Sequence, residues 1–262
     1  MLRLFALLAV AASLASPAAS AAEVEVLPAV SVHLEAARYA PSERDLRWTT
    51  WIGAGATALR VGSWTFFGNA DLETLLGDEL RTFDANQANY HLALGARVPV
   101  GPLAISPFFH HVSRHYVDRP KLRAVDWNVL GIRLSGERGG RVPVRFYASV
   151  GKTTQASLPG YQWELTGGLE ADLYGWSGGA GYARGSFRLV TVEAEPEIPR
   201  GDFADLTAEG GVRWRFGPRS VEVFAAFERR NDVFLEVPSV RDRALLGFRI
   251  LLGASASAAP SR

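Results

Sequence analysis

Apolar and polar positions alternate along this chain with period two. From Ala88 to Val98, Tyr90, Leu92, Leu94, Ala96 and Val98 share one face, while Asn89, His91, Gly95 and Arg97 share the other. From Tyr161 to Leu173, Tyr161, Trp163, Leu165, Leu169, Ala171 and Leu173 alternate with Gln162, Glu164, Thr166, Glu170 and Asp172. Val221 to Arg229 and Ala244 to Leu252 repeat the pattern. Successive side chains of a strand point to opposite faces, so such runs predict strands rather than helices. About twelve are expected, near 29–40, 47–61, 63–74, 87–98, 103–114, 123–135, 142–152, 160–173, 178–195, 205–216, 219–230 and 241–253. Each is long enough to cross a bilayer at a tilt, which takes about 9–11 residues.

The connections alternate in length. Gly62, Pro99 to Pro102, Gly136 to Arg141, Tyr174–Gly175 and Gly217–Pro218 read as short turns. The runs at 41–46, 75–86, 114–122, 153–159, 196–204 and 231–240 are longer and more polar. Short turns on one rim and long loops on the other are the asymmetry of outer-membrane barrels. An even strand count puts both ends on the short-turn rim. Trp48, Trp64, Trp127, Trp163 and Trp214 lie near strand ends and are candidates for the interfacial aromatic girdles.

The N-terminus adds a compartment. Arg3, the apolar run Leu4 to Leu14, Pro17 and the small residues Ala19-Ser20-Ala21 read as a secretion signal, 1–21, cut after Ala21. The expected organisation is signal, barrel over 22–253 and polar tail over 254–262. No later segment holds 18 consecutive apolar residues, so no transmembrane helix is expected. With no cysteine, stability must come from a closed sheet or a large core. A formal net charge of +1 argues against nucleic-acid binding.

A soluble sandwich also alternates, but with its apolar face inward. Here the polar face carries many charges and small residues, as a filled lumen would, and the apolar face is uniformly aliphatic and aromatic. That combination predicts an all-β fold, a transmembrane antiparallel β-barrel of about twelve strands in an up-and-down meander, resident in the bacterial outer membrane. Its partners are then membrane lipids and the outer-membrane assembly machinery. Barrels usually end on an aromatic residue that this machinery reads, whereas this chain ends Leu251-Leu252-Gly253 and an Ala/Ser tail. Glu164, Glu170, Glu209, Arg213, Arg215, Glu222 and Glu228 are expected to form salt-bridged plugs in a narrow lumen. Asp71, Glu73, Asp78, Glu79 and Asp84 surround the 75–86 loop and read as a solvated loop before a cation site.

The densest chemistry is His110-His111-Val112-Ser113-Arg114-His115. Alternation puts Ile105, Phe109, His111 and Ser113 on the lipid-facing side. A hydroxyl needs a neighbouring base to become a nucleophile, and His111 is two residues away on the same face. On the next strand Asn128, Leu130, Ile132 and Leu134 share the lipid face, and antiparallel pairing puts Asn128 across from His111. Ser113, His111 and Asn128 would then stand on the outer wall at head-group level, where polar residues are expensive.

These residues resemble the outer-membrane phospholipase A family, a twelve-stranded barrel with a Ser-His-Asn triad on its outer wall. Its His-x-Ser motif is matched by His111-Val112-Ser113 and its Trp-Asn pair by Trp127-Asn128. Its calcium-loop Asp, five residues after the Ser, is matched by Asp118. The resemblance implies Ser113 as nucleophile, His111 as base, Asn128 as its orienter, Asp118 as a calcium ligand, and a calcium-linked homodimer. Arg114-His115 stands where the family has Asn-Gly, and Lys121 replaces a further calcium-ligand Ser. Lipid A deacylases use His-x-Ser with an acidic third member, for which Glu137 is the candidate but belongs to the opposite rim. The alternative to a lipid hydrolase is a non-catalytic structural barrel or narrow pore.

Overall fold

The computed structural model describes residues 23–118, 120, 124–158, 160–193, 201–231, 233 and 239–253. The expected signal (1–21) and polar tail (254–262) lie outside the described residues. Twelve strands form one closed antiparallel barrel, each paired with its neighbours in sequence and the last with the first. They are β1 (Val24–Ala40), β2 (Trp48–Val61), β3 (Trp64–Gly77), β4 (Asp84–Val100), β5 (Leu103–Tyr116) and β6 (Val125–Arg138). Then follow β7 (Val144–Leu158), β8 (Tyr161–Trp176), β9 (Gly179–Val192), β10 (Phe203–Phe216), β11 (Arg219–Arg230) and β12 (Arg241–Leu252). Closure leaves no open edge, so every ladder can be satisfied without water, as a membrane-spanning sheet requires.

The twelve expected strands are all present, and several are longer than the alternation alone indicates. β7 runs to Leu158 rather than 152, so most of the expected 153–159 loop belongs to the strand. The hydroxyl and amide residues there read as loop by composition, yet Gln155 and Ala156 pair with Asn128 and Trp127 of β6. The short turns at Gly62, 99–102 and 217–218 are as expected. The one expected at Tyr174–Gly175 is corrected, since both residues pair within β8 and the turn falls at 177–178. The 136–141 turn moves to 139–143 because β6 runs to Arg138. Gly62, Gly101 and Gly217 adopt φ of 55, 59 and 62°, left-handed values that a side chain disfavours. Val24 lies opposite Val61 and Leu252 opposite Arg219, so both ends of the barrel stand on this rim.

The wall is apolar outside and ionic inside. Leu94 (60% exposed), Ile132 (54%), Leu169 (54%) and Leu246 (65%) face outward, whereas Glu222 (0%) and Arg249 (3%) face inward. A soluble protein would reverse this distribution; lipid contact explains it. The fold is that of an outer-membrane β-barrel. Trp48, Trp64, Trp163 and Trp214 lie on the outward face, the first and third towards the long-loop rim and the others beside short turns.

Two expected facings are corrected. Trp127 is not a girdle residue: it is buried in the lumen, its indole N–H donates to Glu164 Oε1 at 2.9 Å, and the Arg114 guanidinium lies 5.3 Å from its ring. Alternation itself demands this, since Asn128 faces out. Tyr161 is buried inside rather than sharing the outer face of Trp163, because the register shifts between these residues. One unpaired residue inverts the phase of the residues before it.

The short-turn half of the lumen is filled with paired charge. Arg213 Nε donates to Glu222 at 2.6 Å and its Nη2 to Glu170 at 2.7 Å. Arg249 Nε donates to Glu35 at 2.7 Å, its Nη2 to Glu209 at 3.0 Å, and its Nη1 to Glu222. Arg184 joins Glu170 at 2.7 Å, and the Tyr182 hydroxyl donates to Glu209 at 2.8 Å. The expected plug residues Glu170, Glu209, Arg213, Arg215 and Glu222 sit in this inward set, with Arg215 on Asp172 at 2.7 Å, whereas Glu164 faces the lumen near the long-loop rim and holds Arg188 at 3.1 Å. Glu228 faces the lumen nearer the other rim and accepts from the Tyr39 hydroxyl at 3.3 Å.

The acidic cluster of the 75–86 segment does not exist as a unit. Glu73 is buried against Arg230 (2.5 Å) and Asp71 lies 3.6 Å from His33 inside the barrel. Asp78 pairs with Arg47 at 2.8 Å, and the buried Asp84 accepts from the Leu80 amide at 3.2 Å. Strand β3 extends to Gly77 and β4 starts at Asp84, so the expected 75–86 loop is shortened to 78–83.

Candidate functional site

Strands β5, β6 and β7 position the site. In β5, Ala104, Ser106, Val112 and Arg114 are buried inward, which leaves Ile105, Phe109, His111, Ser113 and His115 outward. His111 pairs in register with Asn128, and Ser113 with Asp126. The three residues singled out from the sequence thus stand together on the outer wall near the long-loop rim. Around and below them are Leu92, Phe109, Leu130 and Ile132, all exposed.

His111 and Asn128 are joined: Nδ1 lies 2.7 Å from Asn128 Oδ1. An amide oxygen only accepts, so Nδ1 carries the proton and neutral His111 keeps Nε2 as its basic nitrogen. Asn128 is held in turn, its Nδ2 donating to Gln155 Oε1 at 3.1 Å. Ser113 does not complete this chain. Its hydroxyl is 2.8 Å from Nε2 of His115, whose ring meets Tyr90 edge-on at 5.4 Å. Two half-sites therefore lie side by side, a His–Asn–Gln relay and a Ser–His pair.

Sequence reasoning passed over His115, Gln155 and Asp126. The period-two rule that selected His111 and Ser113 selects His115 equally. It also puts Asp126 on the face of Asn128, making it, rather than Glu137, the carboxylate on this wall; it accepts from Ser157 at 3.2 Å. Glu137 lies in register with Arg145 at the opposite rim. Gln155 was hidden in a segment read as loop.

Asp118 lies at the start of the following loop with φ of 56°, and its carboxylate accepts from Arg81 Nη2 at 2.7 Å. Among the described residues no group of three or more acidic, histidine or cysteine side chains could hold a metal ion. Calcium takes six to eight oxygen ligands, and one carboxylate neutralised by arginine does not fit that demand. Lys121 lies outside the described residues.

No family model matches this chain, and no curated protein matches it. Solved structures share its fold. LpxR from Salmonella typhimurium is 10% identical, with 85% of this chain and 99% of that one covered and a TM-score of 0.51. The outer membrane phospholipase A from Escherichia coli is 12% identical, covering 85% and 95%, also at 0.51. A Salmonella typhi outer membrane phospholipase, described as a dimer with bound calcium, is 12% identical, covering 85% and 90%, at 0.50. At these identities the structural likeness shows the outer-membrane barrel fold alone.

Proposed function

We propose that this barrel is a lipid hydrolase of the outer membrane, cleaving acyl esters of phospholipids in the outer leaflet with Ser113 as nucleophile. The observation that carries the reading is the outward His111–Asn128 hydrogen bond of 2.7 Å beside Ser113, directly above the exposed Leu92, Phe109, Leu130 and Ile132. Polar side chains facing lipid are costly, and these stand where ester groups and head groups lie.

The chemistry divides among the chain's own residues. Rotation of Ser113 about χ1 carries its hydroxyl from His115 towards His111, which lies two residues away on the same face. His111 Nε2 takes the hydroxyl proton as Oγ bonds to the ester carbonyl carbon. The same proton then passes to the departing lysolipid alcohol as the carbon–oxygen bond breaks. Water, deprotonated by His111, releases the fatty acid and restores Ser113. Asn128, braced by Gln155, holds the imidazole in the productive tautomer. No step passes through calcium, because the described donors do not assemble a site for it. A narrow pore is the weaker reading, since ion pairs fill the short-turn half of the lumen.

Fatty-acid release from phospholipid–detergent micelles by refolded protein tests the proposal. Ser113→Ala is expected to lower the rate by about a thousandfold or more. Equal rates in both proteins overturn it. Running the assay with calcium and with chelator, and repeating it with Arg81→Ala, which releases Asp118, decides the ion's part. Light scattering in the same two conditions reads whether the barrel forms a homodimer, as the Salmonella typhi neighbour does.

A further inference from the structure

Above the ion-paired plug, on the long-loop side, lies a cavity of about 90 Å³. It has room for several waters or one small polyatomic ion. Its walls include Trp51, His110, Trp127, Arg133, Ser149 and Thr166. The carboxylates that reach it are already engaged. Glu73 holds Arg230 at 2.5 Å, Glu164 holds Arg188 at 3.1 Å, Asp205 also reaches Arg188 at 3.4 Å, and Glu228 accepts from Tyr39.

Arg133 contrasts with the lumen guanidiniums that are ion-paired. Arg145, Arg184, Arg188, Arg213, Arg215, Arg230 and Arg249 each hold a carboxylate. Arg133 makes no hydrogen bond or ion pair among the described residues, and its Nε is buried without a partner. The guanidinium is held only by rings, 5.5 Å from Phe108 and 5.0 Å from Tyr147. In register it stands between Ser106 and Ser149, and Ser149 Oγ lies 2.5 Å from Thr166 Oγ1. A charge withdrawn from bulk water without a counter-charge is expensive. A forked donor steadied by two rings and flanked by hydroxyls is the arrangement that receives an oxyanion in a bidentate pair.

We infer that the lumen cavity is a binding site for a small soluble oxyanion, a phosphate or carboxylate, held by Arg133 with Ser149 and Thr166. The plug blocks the short-turn side, so the anion enters from the long-loop side. This site faces away from Ser113 and is independent of the lipid-hydrolase reading.

Titration calorimetry of the refolded barrel in detergent, with sodium phosphate exchanged for sodium chloride at constant ionic strength, tests it; sodium acetate is the second probe. Saturable heat is expected for at least one probe. Arg133→Gln should weaken binding tenfold or more, and Ser113→Ala should leave it unchanged. Arg133→Lys keeps the charge but loses the fork; it should also bind more weakly, and it carries the test if Arg133→Gln does not fold. Absence of saturable heat for both probes in the parent protein, or unaltered affinity in the Arg133 variants, overturns the inference.

Discussion

The lumen and the outer wall of β5–β7 both carry polar side chains, but they are arranged by different rules. In the lumen, charge meets charge: Glu222 accepts from Arg213 and Arg249, and Arg249 also spans Glu35 and Glu209. On the wall, a neutral relay runs from His111 through Asn128 to Gln155, beside a Ser113–His115 pair. The lumen pairs fill the short-turn half of the interior, while an apolar cluster of Val112, Val125, Trp127, Val129, Tyr161 and Val190 packs inside nearer the long-loop rim. The wall relay fills no such space. Strand pairing there would be complete with leucines at every position, so the fold by itself does not call for these polar residues.

The largest test of this contrast is Glu222→Ala. It leaves Arg213 and Arg249 with fewer counter-charges at a fully buried position, and removing one partner of a buried pair costs about 3–5 kcal/mol. Urea unfolding in micelles should show that loss; a change below about 1 kcal/mol would mean the plug is not structural. The wall should respond in the opposite way. Asn128→Ala removes the brace on His111, and we expect lipid hydrolysis to fall on the order of a hundredfold while unfolding stays within about 1 kcal/mol of the parent. A matched loss of stability would place Asn128 with the structural set.

How far each region is legible in the sequence follows from period two. The barrel, its strand number and its charged interior are readable because every strand repeats the same alternation between two solvents. Ser113, His111 and Asn128 are placed on the wall by the same rule. What escapes is a change of phase. Tyr161 sits inside because the register shifts before Trp163, and an extra residue leaves no compositional mark. Trp127 escapes for another reason: an indole near a strand end reads as interfacial by type, although its neighbour Asn128 already fixes it inward. The link from Ser113 to His115 is invisible because two imidazoles flank the hydroxyl at equal spacing, and only rotamers choose between them.

That choice gives a smaller and sharper test within the wall. If His111 is the base, His111→Ala should approach the loss seen with Ser113→Ala. His115→Ala should change hydrolysis by about tenfold or less, since it removes only the resting partner of the hydroxyl. A pH–rate profile of each variant separates them, because only loss of the base removes the low-pH limb on which the rate rises as the base is freed of its proton. The reverse ranking would transfer the role of base to His115 and leave the His111–Asn128 relay as scaffolding.

The smallest expected effect calibrates the others. Arg60 and Glu25 pair at 2.5 Å near the short-turn rim, with 42% and 38% of their side chains exposed. This pair resembles the lumen pairs in geometry and differs in solvent. Water and salt screen it, so Arg60→Ala should shift stability by no more than about 1 kcal/mol, with the shift shrinking further in high salt. A cost comparable to Glu222→Ala would show that burial is not what separates the two sets of ion pairs. The distinction between plug and wall would then need a different physical basis, such as strand position along the barrel.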